Sequence, residues 1–393
     1  MNMKKIVIPS IIIVIVVAII LVSGKQMVEI QYCGDNQKYN KPDTIELNVY
    51  LENSGSMDAY MCDGSQLKDA VYDYVSKLKR HINGQLSLNY INSQIITHRG
   101  DLDSFIKNMN PQSFKLAGGD RRNTNLPDIL KSILNKHKPN SISVFISDCI
   151  LDVPEGAKVF FGRCQIAIRN AFMSSLDSIP TLGVEILKLE SKFNGQYFYS
   201  SGSEYLENVK RPYYMWIIGD RNILAELNKN EPYFGIMHGI KEVCAFTKAH
   251  NVNYKMHFQT GTTTTTIPST NKLNAMLYVD LSTSLQNIHE QPKVTNDTSR
   301  LKVSPIQKVE GDKSYSHVVV IEMFEPLKLD SEKIEFNRPY VPAWVLQTNE
   351  DIGEDIKNNI DKTTGIKYII QGVADAYIKE ETYTSCEFKI TQK

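Results

Sequence analysis

The sequence predicts an α/β protein: a doubly wound, mostly parallel sheet followed by a second, smaller β-rich domain at the C-terminus. Three observations carry that expectation. Strand-like and helix-like apolar spacing alternate from about residue 44 to 228, the pattern of an open sheet with helices on both faces. The segment SISVFISD, ending at Asp148, is almost continuously apolar, as strands buried on both faces of a parallel sheet are. After about residue 246 the helical periodicity fades, and a low-complexity run, TGTTTTTIPST, opens a strand-rich stretch.

Taken in order, Ile45, Leu47, Val49 and Leu51 alternate at period two and predict the first strand. The loop ENSGSMDAYMCDGS follows, then a helix whose face is Leu67, Ala70, Val71, Tyr74, Val75 and Leu78, closed by Gly84. Leu86–Ile91 and Gln94–His98 read as a hairpin, and Asp101–Met109 as a short helix. The stretch from Asn110 to Asn125 is rich in turn residues. It leads to a helix with Pro127 in its first turn and Leu126, Ile129, Leu130, Ile133 and Leu134 on one face. Beyond the buried strand, Phe161–Leu176 reads as a helix and Thr181–Leu189 as a strand, with an aromatic hairpin around Asn194-Gly195. Tyr213–Ile218 is another buried strand, and Asp220 can cap a helix running through Leu227. In the C-terminal part, strands are expected at Leu273–Leu281, Ser316–Phe324 and Ser385–Thr391, with a helix at Ile366–Tyr377. The domain reading is therefore 44–245 for the α/β unit and 246–393 for the β-rich unit.

The N-terminus differs from the rest. Lys4 and Lys5 precede an almost wholly apolar run, Ile6–Val22, which as a helix would span about 25 Å at ~1.5 Å per residue. Its length favours an uncleaved signal-anchor, with residues 1–5 as a cytoplasmic stub, 23–43 as a polar linker and the bulk of the chain extracytoplasmic. Cleavage near Val22-Ser23-Gly24, releasing a secreted protein, is the alternative. Lysine plus arginine equals aspartate plus glutamate at 44 each, a balance that gives no support to nucleic-acid binding. None of the six cysteines forms a CxxC pair, so a zinc site of the usual kind is not indicated. Cys33 and Cys62, both in loop-like sequence, could pair in an oxidising compartment.

Three separated segments carry the chemistry. Glu52-Asn53-Ser54-Gly55-Ser56 follows the first strand, Gly118-Gly119-Asp120-Arg121-Arg122-Asn123-Thr124 precedes a helix, and Ser147-Asp148 closes the buried strand. Loops beyond the carboxyl ends of the strands form the binding crevice of an open α/β sheet. Carboxylate and hydroxyl oxygens suit a hard divalent cation, with magnesium expected first and calcium or manganese next.

In these residues the sequence resembles the von Willebrand factor A family, whose metal-ion-dependent adhesion site is built from Asp-x-Ser-x-Ser, a distant Thr and a distant Asp. Here the pattern is Glu52-x-Ser54-x-Ser56, Thr124 and Asp148, in the family's order, and the resemblance spans roughly residues 44–228. It implies that Ser54, Ser56 and Thr124 bind the ion directly and that Glu52 and Asp148 act largely through waters. It also implies a partner protein whose carboxylate completes the ion's shell. One position departs from the family: Glu52 stands where the family has Asp. The extra methylene moves the carboxylate by about one C–C bond, which calcium's looser shell tolerates more readily than magnesium's octahedron.

Other readings stand beside this one. The module could serve structural assembly with a degenerate site. Ser54 could be a hydrolase nucleophile, although it lacks the Gly-x-Ser-x-Gly context and the eight histidines are scattered. No Gly-x-x-x-x-Gly-Lys-Ser/Thr or Gly-x-Gly-x-x-Gly occurs, so no nucleotide is expected. Arg121 and Arg122 read as a solvated pair flanking the metal position.

Overall fold

The computed structural model describes residues 26–32, 42–122, 124–151, 157–199, 202–230, 239–248 and 252–393, apart from Thr283, Gln286, Asp297, Lys313 and Gly353. The apolar run Ile6–Val22 and Cys33 lie outside them, and the described Cys62 is a free thiol. Among the described residues no helix is long and apolar enough to cross a membrane.

The described chain opens with β1 (Met27–Tyr32) and enters a large sheet with β2 (Glu46–Glu52). A 3-10 turn (Ser56–Met61) and α1 (Gln66–His81) lead to the hairpin of β3 (Leu86–Ile91) and β4 (Ile95–Thr97). Then come α2 (Leu102–Lys107), α3 (Pro111–Ala117), α4 (Leu126–Lys136) and β5 (Ser141–Ser147). After α5 (Ala157–Ser178) run two long strands, β6 (Leu182–Tyr199) and β7 (Gly202–Asp220), followed by α6 (Arg221–Asn230) and β8 (Ile240–Phe246). These strands form a seven-stranded sheet in the order β4-β3-β2-β5-β7-β6-β8.

The alternation at period two sorts its side chains into two layers. Leu47, Val49, Leu51, Val144 and Ile146 bury one face against Leu67, Val71, Val75 and Leu78 of α1, with Phe105 and Phe114. Tyr50, Phe145, Trp216 and Ile218 bury the other against Ile129, Leu130 and Ile133 of α4 and Ile168 and Phe172 of α5. Each such side chain contributes ~1.5–3 kcal/mol by leaving water. β5 is buried along its whole length, as its apolar run predicts.

The expectation of a mostly parallel sheet needs correction. β2 runs parallel to β3 and to β5, but β4, β7, β6 and β8 all pair antiparallel to their neighbours. The reason is the connection: β6 ends at Tyr199 and β7 begins at Gly202, and two intervening residues are too few for a crossover helix, so the chain must turn back antiparallel. The Asn194-Gly195 position is not that turn. It is a break in register inside the pair. A Cβ on Gly195 would stand 2.8 Å from Ala59 Cβ, so the glycine lets β6 cross close over the 3-10 turn.

Gly84 likewise does not cap α1 in a left-handed turn. A Cβ there would lie 2.0 Å from Ile45 O, so its role is close approach to the start of β2. The turn-rich stretch after Asn110 contains a helix, α3, whose cap Asn110 Oδ1 accepts from Ser113 N at 2.9 Å. With Phe114 as its one fully buried side chain, its helical period is too short to read from sequence.

The remaining strands are β9 (Tyr254–Phe258), β10 (Thr264–Thr266), β11 (Lys272–Val279), β12 (Lys293–Val294), β13 (Leu301–Val303), β14 (Gln307–Lys308), β15 (His317–Phe324) and β16 (Glu332–Asn337). Then follow α7 (Ala343–Gln347), β17 (Asn349–Glu350), β18 (Thr363–Thr364), α8 (Ile366–Ala376) and β19 (Thr382–Gln392). Two antiparallel sheets, β10-β1-β19-β16-β12 and β13-β15-β11-β9 with β14 on β15, enclose a separate core of Val28, Ile30, Leu277, Val319, Ile321, Phe336 and Phe388.

Packing crosses residue 246 in both directions. β1, inside the stretch read as a linker, pairs with β19 and β10 because Val28 and Ile30 bury on one side. Conversely, Ile366, Ile369, Ile370 and Val373 of α8 belong to the core of the large sheet. There Gly372 lets α8 approach α5 so closely that a Cβ would meet Gln165 O at 2.7 Å.

Candidate functional site

The three segments singled out in the sequence meet at one rim of the large sheet, where the parallel strands β2 and β5 end. Glu52 is the last residue of β2, and Asp148 follows β5 directly. Both carboxylates are buried, at 4% and 2% exposure. Ser54 is buried as well, whereas Ser56 and Thr124 are half-buried on the open side.

Hydroxyls surround the carboxylates. Ser54 Oγ and Ser56 Oγ are 3.0 Å apart. Glu52 accepts hydrogen bonds from the hydroxyls of Ser147, Ser54 and Thr124. Asp148 is held by the Ser56 hydroxyl and by the Ile150 N–H, which donates to Oδ1 at 3.3 Å. Its Oδ2 is buried with no hydrogen-bond partner among the described residues. All five residues proposed from the sequence are thus linked in one cluster.

Burial pushes the Glu52 carboxyl up to about 7, and the neighbouring Asp148 charge adds to the rise against the three hydroxyl hydrogen bonds. Burial also raises Asp148, opposed by the Ser56 and Ile150 hydrogen bonds and by the charge of Arg211. Two carboxylates closed off from water and close enough to repel are the environment in which a cation is favourable. The orphaned Asp148 oxygen and the all-oxygen donor set fit a hard divalent ion. Among the described residues there is no group of three His, Cys, Asp or Glu fit for a metal; the other oxygens beside the two carboxylates are hydroxyls.

Arg121 is not a solvated residue. Its Nε donates to Asn53 O at 2.6 Å and its Nη2 to Ser54 O at 3.2 Å, while it pairs with Asp58 at 2.5 Å. In return, Gly55 N donates to Arg121 O at 3.1 Å. Asn92 completes the stitching, donating to Asn53 Oδ1 at 3.1 Å and to Gly118 O at 2.9 Å. A Cβ on Gly119, at φ 79°, would collide with the Asn92 side-chain amide, so this position favours glycine on both counts. The loop before α4 is therefore tied to the loop after β2 by charged and neutral hydrogen bonds, which hold Thr124 near Ser54 and Ser56.

Three further contributors lie outside the five site residues named from the sequence. Ser147 both donates to Glu52 and accepts from Cys149 N at 2.8 Å; its adjacency to Asp148 at the end of a buried strand was the available signal. Cys149 takes a left-handed conformation, φ 55°, and its sulfur accepts from Trp216 Nε1 at 3.4 Å, so the sharp turn after Asp148 is anchored below the rim. Arg211, fully buried in β7, donates to Ile360 O and Lys362 O, each at 3.1 Å, and lies 4.5 Å over the Tyr197 ring. Nothing local marks it as the cation beside Asp148, because tertiary packing alone brings it there.

No family model matches the chain, and no curated protein matches it. Four chains of solved structures match. One is an aerotolerance-related membrane protein from Bacteroides fragilis NCTC 9343, crystallised with multiple mutations to serines. The likeness has 15% sequence identity and a TM-score of 0.21, over 34% of this chain and 63% of that one. The chain thus spans less than two thirds of that protein's length.

Proposed function

We propose that this chain is a membrane-anchored, outward-facing binding protein of the von Willebrand factor A type. In this reading a divalent cation sits among Glu52, Ser54, Ser56, Thr124 and Asp148 and binds an acidic group of a partner protein. The observation that carries it is the meeting of these five residues around two buried carboxylates, one with an unpartnered oxygen. Anchoring rests on the apolar Ile6–Val22 run behind Lys4 and Lys5.

The Ser54, Ser56 and Thr124 hydroxyls would hold the ion, with Glu52 and Asp148 supplying negative charge behind them. Bound there, the ion would supply a positive centre with an exchangeable position for a carboxylate. The chain's own residues do the rest. Arg121 and Asn92 fix the two loops, Ser147 orients Glu52, and the half-buried Ser56 and Thr124 leave the open side accessible. No bond is made or broken in this role.

Titration calorimetry of the full chain with magnesium, calcium and manganese tests the proposal. At least one ion is expected to bind with a single-site isotherm that Ser54→Ala abolishes, while its folded circular-dichroism spectrum persists. Silence with all three ions would overturn the metal role. Partner capture that is unchanged by chelator would favour a structural module instead.

A further inference from the structure

The tip of the β6–β7 pair ends beside the ion-site loop. A Cβ built on Gly55, between Ser54 and Ser56, would lie 3.8 Å from Phe198 Cε2, so the ring stands in van der Waals reach of the loop carrying two hydroxyls. Yet Phe198 is 48% exposed, and Tyr205, from the facing strand, is 54% exposed. Phe198 pairs across the hairpin with Ser203, and Tyr205 with Gln196, which places both residues on one face; the Tyr205 hydroxyl turns to Asn194 Oδ1 at 3.4 Å, which leaves Phe198 as the ring at the loop.

The two strands leading to the tip are held in place. Gly195 closes over Ala59, Tyr197 is buried and reaches Thr364 Oγ1 at 3.1 Å, and Glu204 pairs with Lys357 at 2.6 Å. Residues on both sides of Phe198 in the pair are thus committed to the fold, while the ring itself is left half-open at the rim. A half-open aromatic ring within reach of the loop that carries Ser54 and Ser56 is placed to meet the apolar part of a ligand whose anion sits at that site, and aromatic side chains are enriched at protein interfaces.

We infer that Phe198 is a specificity-determining residue, an apolar wall that selects ligands whose carboxylate is followed within a few bonds by an aromatic or aliphatic group. The occupant is an extended segment of a partner protein bearing an Asp or Glu next to a large apolar side chain. The positive ion takes the carboxylate, and Phe198 covers the neighbour. This inference rests on the cation reading above.

Acetate and 3-phenylpropanoate serve as probes, titrated against the full chain saturated with whichever of the three ions binds. The aromatic acid is expected to bind about two- to twelvefold more tightly, the range one aromatic pair contributes. Phe198→Ser should erase that preference without changing ion or acetate affinity, and Phe198→Leu should keep part of it. Equal affinities for the two acids, or a preference that survives in Phe198→Ser, would overturn this inference and leave the ion site standing. Failure of every ion to bind would overturn both.

Discussion

Raising the pH in the absence of divalent ions should destabilise the fold through Glu52. An exposed glutamate titrates near 4.5, whereas burial and the Asp148 charge push Glu52 up to about 7 in the fold. Between those values the native protein keeps a proton that the unfolded chain has released. The native state then binds more protons, so the unfolding free energy falls as pH climbs from about 4.5 and levels off above about 7. At ~1.36 kcal/mol per pH unit, a gap of about 2.5 units is worth roughly 3 kcal/mol. Glu185, raised to about 8 by burial against a single hydrogen bond from Asn228, acts in the same direction, so the Glu52 contribution is read as a difference. Urea unfolding of the native chain and of Glu52→Gln, followed in chelator at pH 5, 6, 7 and 8, isolates it. The native midpoint should drop more steeply than that of the variant. A saturating divalent ion should reverse the native slope, because it competes with the proton for the same carboxylate. Parallel pH profiles for the two proteins in chelator would refute the argument that Glu52 is buried without a counter-charge.

Two further predictions test how the rim is stitched together and how the chain packs at the start of β2. Arg121→Met removes the donors to Asn53 O and Ser54 O and leaves Asp58 without its partner. It should cost roughly 2–4 kcal/mol in urea unfolding and weaken ion binding in calorimetry, whereas a solvated arginine would cost nothing measurable. Gly84→Ala drives a Cβ to 2.0 Å from the backbone oxygen of Ile45 and should lower the unfolding free energy by ~1–3 kcal/mol or more. Gly118→Ala, which meets nothing within 4 Å, should cost only the backbone strain of its φ 96°, ψ −168° conformation, ~1–3 kcal/mol. Equal losses at the two glycines would show that close approach is not what Gly84 provides.

The candidate site was largely legible because each of its parts lies at the end of a strongly patterned element. Leu47, Val49 and Leu51 define β2 by alternation, so Glu52 and Ser54 fall at its carboxyl end; the apolar run of β5 does the same for Asp148. The face Leu126, Ile129, Leu130 and Ile133 marks the start of α4 and so locates Thr124. The supports were harder to see. Arg121 looks like any loop arginine until its side chain is found on Asn53 O and Ser54 O, and hydrogen bonds to main-chain oxygens leave no trace in residue type. β1 carries just two fully buried side chains, Val28 and Ile30, too few for a period to emerge from a polar stretch.

By itself the sequence determined which residues turn inward, where strands and helices begin, and which oxygen-bearing side chains stand at strand ends, because these follow from a repeat of two or 3.6 along a local stretch. Tertiary structure alone decided that β7 inserts antiparallel between β5 and β6, that α8 packs on α5 in the core of the large sheet, and that Arg211 comes to rest near enough to Asp148 to act on its charge. The physical reason is that an apolar face specifies burial without naming its partner. Partners are selected by backbone hydrogen bonds and close packing between segments distant in the chain, as where β1 joins β19 and where Gly372 admits α8 against Gln165 O.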